Sequence, residues 1–82
     1  MEFVYDKLRK RIKERYRTQD NFAHLLGISR TSLNLKLNNV SEFSQHEILL
    51  SMQLLDVNMS EIGCYFFTVK EPGEEHAEEP NT

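Results

Sequence analysis

The chain is poor in the residues that build covalent and catalytic centres. It holds one cysteine, Cys64, so no disulfide can close within it, and a lone thiol fits a reducing cytoplasm. Cys64 stands beside Tyr65, Phe66 and Phe67, which reads as a small apolar residue buried among aromatics. The three glycines are scattered. None sits in a glycine-rich phosphate loop or a nucleophile elbow. His24, His46 and His76 have no metal-type spacing with one another or with Cys64. The carboxylates are dispersed or gathered near the C-terminus, where no pocket would hold an acid–base pair. These absences argue against an enzyme, and no metal, cofactor or catalytic residue is expected. Apolar runs are only a few residues long, too short for a membrane span, and the charged N-terminal part is unlike a secretory signal.

What is present is unevenly placed. The net charge of −3 hides a strong segregation. Residues 1–41 carry nine Lys or Arg against four acids, a net of +5; residues 42–70 carry −3, and residues 71–82 carry five glutamates and no base. A cationic first half suits a phosphate-facing surface. A solvated helix face accounts for Lys10, Lys13 and Arg15 equally well. The last stretch, EPGEEHAEEPNT, has two prolines, a glycine and nothing large and apolar to bury. It reads as a disordered acidic tail behind one small domain over residues 1–70.

Periodicity and capping residues divide the domain into helices. Tyr5, Leu8, Ile12 and Tyr16 form one apolar stripe, predicting a helix from Asp6 to Tyr16 with Asp6 as its cap. Thr18 caps a second helix, Gln19 to Leu26, and Ser29 a third, Arg30 to Leu37, which exits through Asn38-Asn39. Ser44 and Glu47 have capping-box spacing ahead of Ile48, Leu49, Met52 and Leu55, which marks a fourth helix. Asn58 and Glu61 repeat the device before a short fifth turn with Met59 and Ile62. The segment from Cys64 to Val69 is apolar and β-prone; it either packs back over the bundle or pairs with a second subunit. An all-α fold follows, a compact bundle of four to five short helices.

The segment QDNFAHLLGISRTSLNLKL, Gln19 to Leu37, has the spacing of two helices meeting sharply through a short turn. Ala23 allows close approach, Gly27 supplies a left-handed exit, Ile28 plugs the turn, and Phe22, Leu26, Leu33 and Leu37 supply the apolar anchors. The pattern is a helix-turn-helix. Over roughly residues 5 to 57 it resembles the DNA-binding domains of lambdoid phage repressors, the Cro proteins and their XRE-like bacterial relatives. The one departure is Lys36, which occupies a position that this family usually makes apolar; either the third helix rotates slightly or Leu37 takes over the anchoring.

The resemblance implies a transcriptional regulator that reads operator DNA in the major groove. Carried onto this chain, the base-reading residues are Ser29, Arg30, Thr31, Asn34 and Leu35, with Arg30 suited to guanine and Asn34 to adenine. Phosphate contacts fall to Arg17, Thr18 and Gln19 at the start of the second helix, and to Lys36, Asn38, Asn39, Ser41, Ser44 and Gln45. So short a reading helix implies a homodimer on half-sites about 34 Å apart. Leu55, Met59, Ile62, Tyr65, Phe66 and Phe67 could supply the dimer surface, or they could complete the core of a monomer. The rival is a protein-binding module of the same fold that grips a partner repressor or another phage regulator, which an acidic tail beside an aromatic cluster would suit. Neither role involves a membrane.

Overall fold

In the computed structural model, residues 2–70 are described. The segment expected to be an acidic tail, 71–82, lies outside the described residues. Five helices and a minimal ribbon follow one another along the chain. They are β1 (Glu2–Phe3), α1 (Asp6–Tyr16), α2 (Gln19–Leu26), α3 (Arg30–Leu37), α4 (Gln45–Leu54), a 3-10 turn (Met59–Glu61), α5 (Ile62–Phe66) and β2 (Val69–Lys70).

α2, α3 and α4 each begin where a side chain can accept one of the first free N–H groups. Thr18 Oγ1 accepts from Asn21 at 3.2 Å, Ser29 Oγ from Ser32 at 3.0 Å and Ser44 Oγ from Glu47 at 3.1 Å. Glu47 returns the bond, its carboxylate accepting the Ser44 N–H at 2.9 Å, so the capping box at α4 is complete. α1 departs from expectation: Tyr5 holds the N-cap position without a side-chain bond, and Asp6 is the first helical residue, where its charge meets the positive end of the helix. Asn58 does cap the 3-10 turn, bonding the Ser60 N–H at 2.8 Å, but Glu61 does not reciprocate.

The exits use positive φ. Gly27 leaves α2 at φ 84°, where a side chain would be strained, and Asn39 follows α3 at 64°. Asn39 does more than turn the chain. Its amide accepts the Phe3 N–H at 2.8 Å and donates to the Phe3 carbonyl at 2.9 Å, binding the loop after α3 to β1.

The core gathers one face from every helix: Leu8 and Ile12 from α1, Phe22, Ala23 and Leu26 from α2, Leu33 and Leu37 from α3, Met52 from α4, then Leu55, Tyr65 and Phe66. Burying each of the larger side chains contributes about 1.5–3 kcal/mol. Ile28 packs against this core from the α2–α3 turn.

The C-terminal apolar segment settles differently from its β-prone composition. Cys64 to Phe66 complete α5, and only Val69–Lys70 is extended, pairing antiparallel with β1 (Glu2 opposite Lys70, Phe3 opposite Val69). The segment therefore packs back on its own chain. Cys64 faces outward and is exposed, contrary to its expected burial, because α5 turns Tyr65 and Phe66 inward instead.

Candidate functional site

α2 and α3 pack as two short helices joined by a three-residue turn, Gly27 to Ser29. Ala23 is 1% exposed at their contact, and Phe22, Leu26, Leu33 and Leu37 are all buried. With Leu37 in the core, the neighbouring Lys36 is turned toward α4.

The outer face of α3 begins with Ser29, Arg30 and Thr31 and continues with Asn34 and Leu35, all exposed. Arg30 forms no ion pair among the described residues. Ser29 is engaged as the helix cap. Asn38 donates to the Asn34 carbonyl at 2.9 Å and to its side-chain oxygen at 3.3 Å, so these two amides brace one another. At the start of α2, Arg17 and Thr18 are exposed and Gln19 is half-buried. Ser41, Ser44 and Gln45, between α3 and α4 and at the start of α4, are exposed, with the Ser44 hydroxyl occupied by its cap.

Three of the cations in the basic half serve the fold itself. Arg9 donates to the Leu37 carbonyl and to Asn38 Oδ1, both at 3.0 Å, closing the C-terminal end of α3. Arg11 does the same for α4, donating to the carbonyls of Leu55 at 3.0 Å and Asp56 at 3.3 Å, and the Tyr16 hydroxyl reaches Leu54. Lys36 lies 3.3 Å from the Glu47 carboxylate and donates to the Glu42 carbonyl at 2.9 Å, with its side chain only 12% exposed. A phosphate contact by Lys36 would have to break both. Asn39 is likewise committed to β1. Sequence reasoning missed the roles of Arg9 and Arg11 because their acceptors lie 28 and 44 residues away.

Of the six residues considered for a dimer surface, Leu55, Tyr65 and Phe66 are buried in the core of a single copy at 0%, 6% and 2% exposure. That is a correction: only Met59 and Phe67, both exposed, and the half-buried Ile62 remain outward. Other apolar side chains do reach the surface. Leu25 on α2 and Leu49 and Leu50 on α4 are exposed, and a recess of about 280 Å³ lies among Leu26, His46, Leu49, Leu50 and Gln53.

The protein-family model described as "Protein of unknown function (DUF739)" matches residues 1–69. The chain belongs to the DUF739 family. This DUF739 chain is also similar to a solved structure, the solution structure of the modulator of repression (MOR) of the temperate bacteriophage TP901-1 from Lactococcus lactis. The two are 36% identical with a TM-score of 0.71, over 85% of this chain and 97% of that one. No curated protein matches the DUF739 chain. Its likeness is thus to a phage regulatory protein. Among the described residues, no helix is long and apolar enough to cross a membrane, and no group of His, Cys, Asp or Glu is placed to hold a metal ion.

Proposed function

We propose that the chain is a phage modulator of transcription that acts by gripping a DNA-binding repressor, as a binding protein and not as a catalyst. The observation that carries this is the likeness to a phage modulator of repression at 36% identity over most of both chains. Two features support it. Arg9, Arg11 and Lys36 are tied into helix ends, which weakens the basic half as a phosphate surface. Leu25, Leu49 and Leu50 offer apolar area that DNA would not use but a protein would.

The test has two arms. The protein alone is offered a random duplex library at near-physiological salt, and it is titrated into a lambdoid-type repressor held on its operator. No sequence should be enriched in the first arm, and repressor occupancy should change in the second. Recovery of a palindrome with half-sites about 34 Å apart would overturn the proposal.

A second reading is kept by one observation. The start of α3 presents Arg30 and Thr31 to solvent, with Arg30 in no ion pair among the described residues. A homodimer of the repressor and Cro type reading operator DNA would use that surface, and it is the outcome that the first arm detects.

A further inference from the structure

Beside the ribbon lies a cavity of about 200 Å³ walled by Phe3, Tyr5, Phe43, Phe66 and Phe67, with Glu42 on its lining. Three ring pairs meet nearly edge to face, Phe3 to Phe67 at 84°, Tyr5 to Phe43 at 80° and Phe43 to Phe66 at 86°, while Phe3 and Tyr5 are tilted by 36°. We propose that this aromatic cavity receives one arginine side chain of a partner protein, its guanidinium against the rings and paired with the Glu42 carboxylate.

Size, charge and surroundings each narrow the occupant. Small-molecule sites run from roughly 300 to 1,000 Å³. At about 200 Å³ this cavity suits a single side chain better than a cofactor. Glu42 makes no ion pair among the described residues; the nearby ammonium of Lys36 is directed to the Glu42 carbonyl and to Glu47. The exposed, unpaired Glu42 carboxylate would attract an entering cation and offers an apolar occupant nothing. The Glu42 charge is felt inside the recess, where burial first and that carboxylate second push the Tyr5 phenol above its usual pKa. Aromatic rings attract cations through their negative faces, and a guanidinium, planar and more weakly hydrated than an ammonium, stacks on them best. Half-exposed Phe67, on the lining, would give a crossing partner backbone apolar footing. The inference concerns the chemistry of this cavity and does not depend on whether the partner is a repressor.

The test is a titration of the full chain, followed by NMR at the Tyr5, Phe43 and Phe67 rings, with N-acetyl-arginine amide as the probe. The citrulline amide, of the same shape without the charge, and the lysine amide serve as comparisons. Arginine should produce saturable ring shifts. Citrulline, or arginine on Glu42→Gln or Phe67→Ala, should bind about tenfold more weakly or not at all. Both substitutions lie at exposed positions, and thermal unfolding confirms that the variants remain folded. Saturation by citrulline equal to that by arginine, equal binding of lysine, or no saturable shift with arginine would each overturn the assignment.

Discussion

The Lys36 ammonium stands 3.3 Å from the Glu47 carboxylate, and both side chains are largely sheltered, at 12% and 20% exposure. The same carboxylate completes the capping box of α4, so one glutamate ties the last turn of α3 to the first turn of α4. This explains a sheltered cation next to buried Leu37.

Lys36→Met should therefore cost about 1 kcal/mol, because it leaves the sheltered Glu47 carboxylate without its cation while that carboxylate keeps its bond to the Ser44 N–H. Glu47→Ala loses the pair and the cap together and should cost about 1–2 kcal/mol. Urea unfolding measures both. A larger loss for Lys36→Met than for Glu47→Ala would contradict this account.

The arginines of α1 divide by role. Arg9→Ala and Arg11→Ala each strip a bond from a part-buried carbonyl at a helix end, Leu37 or Leu55, and should cost about 1–2 kcal/mol. Lys10→Ala and Lys13→Ala, on the solvent face, should stay within about 0.5 kcal/mol. Thermal unfolding of the four variants side by side decides the matter; equal effects would mean that the capping contacts contribute nothing.

Cys64 is exposed on α5. In the native protein it should react with a thiol reagent as fast as in urea, within about a few-fold. A reaction limited by unfolding would place it inside.

Tyr5 titrates above the usual phenol value, chiefly through burial and secondly through Glu42. A raised folded pKa favours the neutral phenol, so its contribution is full below the unfolded value of about 10 and is lost as pH rises through the folded one. Absorbance titration should show late ionisation of Tyr5, and Glu42→Gln should bring it earlier. An unchanged titration would remove Glu42 from the vicinity.

Leu49→Lys and Arg30→Ala separate the two functional readings. The first should abolish the effect on a repressor–operator complex without loss of fold, because Leu49 is 46% exposed. The second should leave that effect within about twofold; a loss of about 1–3 kcal/mol in binding to one duplex sequence would favour direct DNA reading.

Much of the scaffold was legible in the residues. Three helices, Asp6–Tyr16, Gln19–Leu26 and Arg30–Leu37, fall on the predicted bounds because their apolar stripes, and the caps of the second and third, are local signals. Cys64 was misjudged because composition marks the segment as apolar without saying which way a short helix turns. Leu55, Tyr65 and Phe66 looked equally suited to core or interface for the same reason.

By itself, then, the sequence determined the helices, the caps at Thr18, Ser29 and Ser44, the left-handed exit at Gly27 and the apolar faces that had to meet. These depend on neighbours within a few positions, where geometry leaves little choice. Only the tertiary structure decided that Arg9, Arg11 and Lys36 would serve helix ends, that Asn39 would hold β1, and that five aromatic rings would enclose a cavity beside Glu42. Those outcomes depend on which groups the folded chain brings together across long separations. A charged or aromatic side chain carries no local mark of the partner that it will find.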